Sequence, residues 1–148
     1  MSLKLEHRVG IRASAETIWE IVSDIGGWAA WNPIYSRAEG VLKIGAPLSL
    51  DLVLEGQAMR TIRPVIADWI PNEQIHWRLS LLGGLVATTR YIEIEKLADR
   101  SCILYNGEVF GGLLGPSVAR RMRPAIRAGF AAMGEAVRVK AEAAATAP

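Results

Sequence analysis

The residues most able to do chemistry sit in two consecutive runs near the middle of the chain. In "RYIEIEKL", residues 90–97, alternation puts Arg90, Ile92 and Ile94 on one face; in "SCILYNGEVF", residues 101–110, it puts Leu104, Asn106, Glu108 and Phe110 on one face. Only the Ala98-Asp99 turn separates the runs, so they should be neighbouring strands. Arg90 and Glu108 could then act together, as an ion pair or as the polar end of a binding site. Burying either charge alone is costly, so each needs a partner. An inverted register would instead leave both in solvent.

The remaining reactive side chains carry less. His7 lies on the apolar face of "LKLEHRVGI", while His76, between Ile75 and Trp77, should face solvent. General acid–base work by either would need a second positioned polar group, and no Ser-His-Asp or Cys-His pattern is present. Two histidines in different strand contexts do not make a zinc site. Cys102 is the single cysteine, which excludes an intrachain disulfide and a cysteine-based metal set; its strand context suggests an inert buried thiol. "GGLLGP" lacks the lysine and hydroxyl of a phosphate-binding loop, and no dinucleotide fingerprint occurs. No catalytic residue, metal or cofactor is assigned on these grounds.

The elements that must position these residues follow from pattern. "LKLEHRVGI" alternates as a half-buried strand. Ser14 is a good N-cap for a helix carrying Ile18, Trp19, Val22 and Ile25, with Gly26 and Gly27 expected to end it. Trp28 to Asn32 should form one further short turn before Pro33. From Ile34 to Phe110 the text reads as an antiparallel meander, broken at Glu55-Gly56, Pro71-Asn72, Gly83-Gly84 and Ala98-Asp99. Leu48, Leu50, Leu52 and Leu54 share a face, Ile62 belongs to the next run, and Pro64 inside that run predicts a bulge or an edge. After Gly115-Pro116 the period changes: Val118, Met122, Ile126, Phe130, Met133 and Val137 form one apolar stripe, with Pro124 expected to kink or interrupt the helix. The last residues, 143–148, have nothing to pack against and should fray.

Bulk properties agree with one domain over residues 1–148: 51% hydrophobic, 22% charged, net charge +2. No apolar run is long enough to span a bilayer and the N-terminus has no signal-like segment, so a cytoplasmic location is the default expectation. Arg120, Arg123, Arg127 and Arg138 fall roughly opposite the apolar stripe. A solvated outer face explains them better than nucleic acid, since no aromatics interleave with them. Monomer and homodimer are equally open.

A long amphipathic helix needs an apolar surface, and one face of the sheet is the candidate. The order of elements and the stretch "IRASAETIWEIVSDIGGWAAWNP", residues 11–33, resemble the polyketide cyclase/dehydrase and lipid-transport family of the START and birch-pollen-allergen-like superfamily. "WIPNEQIHWRL", "RYIEIEKL", "GEVFGGLLGP" and the final helix fit as well, so the likeness covers almost the whole chain. The resemblance implies an α+β helix-grip fold: a curved antiparallel sheet of about seven strands on a long C-terminal helix, with two short helices after the first strand. It also implies a hydrophobic or amphipathic small-molecule ligand, lipid or polyketide-like, held between sheet and helix. The faces of Arg90 and Glu108 would point toward that helix. The residues expected to meet the ligand are Trp31, Leu50, Leu52, Ile62, Trp77, Arg90, Ile92, Asn106, Glu108, Phe110, Met122, Ile126 and Phe130. Trp31 is placed at or near the cavity mouth and Trp28 against neighbouring elements; the alternative is that both plug the end of the core. The family carries no shared catalytic motif to transfer. A cyclase or dehydratase using Glu108 or His7, and an accessory protein docking through its basic helix, are the other readings.

Overall fold

A computed structural model describes residues 2–146. The chain runs β1 (Leu3–Ile11), α1 (Ala15–Ser23), a 3₁₀ helix (Ile25–Ala30), β2 (Tyr35–Glu39), β3 (Ser49–Leu52), β4 (Arg60–Ile62), β5 (Val65–Ile70), β6 (Gln74–Leu81), a 3₁₀ turn (Leu82–Gly84), β7 (Val86–Ala98), β8 (Ser101–Gly111) and α2 (Gly115–Thr146). This is the expected α+β helix-grip arrangement.

Local chemistry accounts for the first elements. Ser14 accepts the Thr17 amide through its hydroxyl, as an N-cap should, and Ile18, Ile21 and Val22 face the core. The helix ends at Ser23, earlier than the glycine pair suggested. Gly26 and Gly27 lie inside the 3₁₀ helix instead. There the Asp24 carboxylate folds back to within 2.3 Å of where a Gly27 Cβ would stand, so a larger residue would require that exposed side chain to swing away.

The strands form two antiparallel sheets, ordered β1-β8-β7-β6-β5 and β2-β3-β4. Hydrogen bonds from Leu48 to Pro64 (2.8 Å), Ile66 to Ala46 (2.9 Å) and Gly45 to Ile66 (2.8 Å) tie them together. Proline explains why eight strands appear among the described residues where about seven were expected. Pro64 has no N–H to give a ladder, so one run is divided into β4 and β5.

α2 lies on β1, β8 and β7. Its buried residues include Ile126, Phe130, Met133, Val137 and Ala141, the expected stripe extended by one turn. Two points differ from the sequence reading. Pro124 does not interrupt the helix: it is exposed, and so is Arg120, whose carbonyl loses its helical partner and can be hydrated instead. The helix also continues through residue 143 to Thr146, because Ala141 and Ala145 still pack on the core; residues 147 and 148 lie outside the described residues.

Small residues set how closely α2 approaches the sheet. A Cβ at Gly134 would stand 3.0 Å from the His7 ring, and one at Gly129 would stand 2.9 Å from Leu54 Cδ2. From the sheet side, the Asn106 amide donates to the Phe130 carbonyl at 2.7 Å. The C-terminal half of the helix is therefore pressed onto β1 and β8 and its start is seated on Phe110 of β8 at Gly115, while between them, around Val118 to Ile126, it stands off the sheet.

Candidate functional site

Where α2 stands off the sheet there is a cavity of about 380 Å³. Its walls come from β2 (Tyr35), β3 and the loop after it (Leu52, Leu54, Met59), β4 (Arg60, Ile62), β6 (Trp77, Leu79, Leu81), β7 (Val86, Thr88, Arg90), β8 (Glu108, Phe110) and α2 (Val118, Arg121, Met122, Ile126, Phe130). Met59, Arg60, Leu81 and Arg121 are exposed and mark where it meets solvent. The volume lies toward the low end of the roughly 300–1,000 Å³ usual for small-molecule sites.

The sheet register brings the two charged residues together. Arg90 on β7 is directly opposite Glu108 on β8, and both line the cavity. Arg90 is only 3% exposed. Its Nη1 donates to the carbonyls of Tyr91 (2.9 Å) and Gly107 (3.1 Å), and its Nη2 to the Met133 sulfur (3.3 Å). The guanidinium lies 4.1 Å from the centre of the Phe130 ring and 5.3 Å from that of Trp77, within cation–π range. Its Nε is buried without a partner. No ion pair joins Arg90 to Glu108 among the described residues.

Burial shapes the protonation of this end. It pushes the Glu108 carboxyl above its ordinary range, with the Arg90 charge and the Thr88 hydroxyl pulling partly back. Burial likewise raises Tyr35, again against the nearby Arg90. The site thus offers a fixed cation, a carboxyl biased toward its neutral form and a phenol on otherwise apolar walls. Such a carboxyl can donate a hydrogen bond or a proton.

Of the residues expected at the site, Leu52, Ile62, Trp77, Arg90, Glu108, Phe110, Met122, Ile126 and Phe130 line the cavity. Trp31, Leu50, Ile92 and Asn106 do not. Leu50 and Ile92 are buried core. Asn106 is spent on the helix, and its Oδ1 is buried without a partner. Trp31, half-buried, packs on the core away from the cavity. The tryptophan that matters to the site is Trp28: fully buried, it donates to the Val22 carbonyl (3.0 Å) and lies beside the cavity-lining Tyr35 (5.4 Å) and Trp77 (5.7 Å). Thr88 and Val86 were missed although they continue the alternation of Arg90. Arg60, Arg121 and Tyr35 reach the site only through tertiary pairing.

The other reactive groups lie elsewhere. His7 packs against Gly134 and His76 pairs with Glu93 at 2.8 Å; neither lines the cavity. The Cys102 thiol is buried, bonded to the Ala13 carbonyl at 3.4 Å and pushed up by burial, which makes it unreactive. Among the described residues, no cluster of three or more potential ligands could hold a metal, and no helix is long and apolar enough to cross a membrane.

Comparison with known proteins agrees with this architecture. Residues 2–138 match the model of the family described as "Polyketide cyclase / dehydrase and lipid transport". The structure is similar to the Zhui aromatase/cyclase from Streptomyces sp. R1128, with TM-score 0.77 and 22% identity over 96% of this chain and 94% of that one. It is also similar to a START superfamily protein from Mycobacterium smegmatis (TM-score 0.71, 23% identity, 95% and 98% covered). A third likeness is to norcoclaurine synthase from Thalictrum flavum (TM-score 0.69, 19% identity, 94% and 86% covered). At these identities the likeness is one of fold. No curated protein matches the chain by sequence.

Proposed function

The chain belongs to the polyketide cyclase / dehydrase and lipid transport family, and from that premise we propose that it binds a hydrophobic or amphipathic small molecule in the cavity between sheet and helix. The observation that carries the reading is the cavity itself: about 380 Å³, walled mostly by leucine, isoleucine, methionine and aromatic side chains, with polar groups gathered around Arg90 and Glu108. Apolar burial, at about 25 cal/mol per Å², supplies affinity, less the cost of immobilising the ligand. The polar end sets orientation. Carriage of such a ligand between sites would use the same cavity.

Native mass spectrometry of gently purified protein tests this. A bound small molecule is expected, and Ile126→Trp, which projects bulk into the cavity, should displace it while the protein stays folded. A native protein always free of ligand, which also takes up no apolar probe, would end the reading.

A second reading, a cyclase or dehydratase, is favoured by one observation: Glu108 is a carboxyl biased toward protonation inside the cavity, where a general acid would stand. His7, the other acid–base candidate, lies outside the cavity and drops from this role. Turnover that Glu108→Gln abolishes with ligand capture kept would favour catalysis; loss of capture in parallel would count against it.

A further inference from the structure

The cavity wall is electrically lopsided. Among the described residues that line it, three arginines, Arg60, Arg90 and Arg121, stand against a single carboxylate, Glu108, with no histidine or lysine. Arg60 and Arg121 are exposed at the opening, where water can screen them. Arg90 is different. It is 3% exposed, its Nε has no partner, and everything it does touch is neutral: two carbonyls, a thioether and two aromatic faces. Neutral partners orient a guanidinium but leave its permanent charge uncompensated in a poorly polarisable setting. Its neighbour across the register, Glu108, makes no ion pair with it.

We propose that the cavity is built for an anionic amphiphile, a carboxylate on an apolar body, whose head sits between Arg90 and Glu108, with the Glu108 carboxylic acid donating a hydrogen bond to it. The assignment rests on the ligand-binding reading above and names the class of ligand. An ionised Glu108 would repel a second carboxylate held beside it, whereas one proton shared between two carboxylates, beside a guanidinium, removes the repulsion. Burial of Glu108 favours the same protonated form. Arg90 and Thr88 from β7 and Tyr35 from β2 are the polar groups near Glu108, and Arg60 from β4 and Arg121 from α2 complete the charged lining of the cavity. Binding of the anion is therefore coupled to the proton on Glu108.

Three probes with one ten-carbon chain test the idea by calorimetry: decanoate, decanol and decyltrimethylammonium. Near pH 6, decanoate should bind about tenfold or more tightly than decanol, the gain of one charge-assisted contact, and the cation weakest of all. As pH is raised toward 9, decanoate affinity should fall, by up to about tenfold per unit above the titration of Glu108, while decanol affinity stays level. Glu108→Gln should flatten the decanoate profile. Arg90→Met should erase the preference for decanoate, although the result with the unaltered protein stands without it if that variant fails to fold. Equal affinity for decanoate and decanol, or a preference for the cation, would overturn the anionic assignment and leave the cavity reading intact. A decanoate profile flat with pH in the unaltered protein would overturn the role of Glu108. Failure of every probe to bind would overturn the assignment together with the reading beneath it.

Discussion

Asn106 is a buried polar residue whose removal should cost little. Its amide donates one hydrogen bond, to the Phe130 carbonyl at 2.7 Å, while its own Oδ1 is buried with no donor. Consider Asn106→Leu, which keeps the number of side-chain heavy atoms, is wholly apolar and is bulkier, so that a methyl replaces the amide nitrogen 2.7 Å from the carbonyl. The lost hydrogen bond is worth about 1 kcal/mol net. The carbonyl it leaves is not orphaned, because within α2 it still accepts from the amide four residues on. Against this, the substitution removes an unsatisfied buried acceptor, a group that costs about 1–3 kcal/mol, and adds apolar burial. Fitting the bulkier side chain beneath α2 costs about 1–3 kcal/mol, which offsets those gains, so Asn106→Leu should lie within about 2 kcal/mol of the parent. Asn106→Asp should lose well over 2 kcal/mol, since it turns a carboxylate oxygen toward a carbonyl oxygen in a buried site. Urea unfolding followed by tryptophan fluorescence reads all three proteins. A loss above about 2 kcal/mol for Asn106→Leu, at unchanged m-value, would refute the reasoning and show that the clamp carries stability as well as position.

Two further predictions rest on single groups. Trp28→Phe leaves the Val22 carbonyl without its 3.0 Å donor and takes bulk from beside Tyr35 and Trp77; it should cost about 2–4 kcal/mol in the same unfolding assay and weaken ligand capture through the loosened wall. Because the folded-state titration of Glu108 is raised, the ionised group opposes folding, a penalty absent below the unfolded-state value and fully present above the folded one. The stability of Glu108→Gln relative to the parent should therefore climb as pH rises from about 4.3 and then level off, and a constant difference from pH 4 to 9 would contradict it.

Much of the fold could be read from the residues because each local signal pointed the same way. Ser14 before an apolar-periodic segment, the leucine alternation through β3 and the stripe on α2 leave few alternatives. The site was legible by face but not by depth. Alternation correctly grouped Ile92 with Arg90, and Asn106 with Glu108. It could not tell that α2 rests on the sheet at Asn106 and clears it at Glu108, because that depends on Gly129 and Gly134 on another element. The two tryptophans divided. Trp28 packs against neighbouring elements as expected, while Trp31, expected at the cavity mouth, packs on the core instead. The short turn was expected at Trp28 to Asn32, whereas the 3₁₀ helix ends at Ala30 and leaves Trp31 outside it with φ −135°.

The close approach at Gly129 and Gly134 makes α2 a beam as much as a lid. Its C-terminal half bears on His7 of β1 and on Leu54 through residues with no side chain to spare, and at its start Gly115 is seated on the backbone of Phe110. The cavity lies under the span between, and roughly 21 Å separates Gly129 from Gly115 at 1.5 Å per residue. One methyl added at either bearing would thus be felt as a change in the height of the cavity roof. In a lineage built on this plan, ligand size could be retuned by exchanging glycine and alanine at positions that never touch the ligand. Variation in specificity should then be sought at the bearings of the helix as well as in the cavity wall.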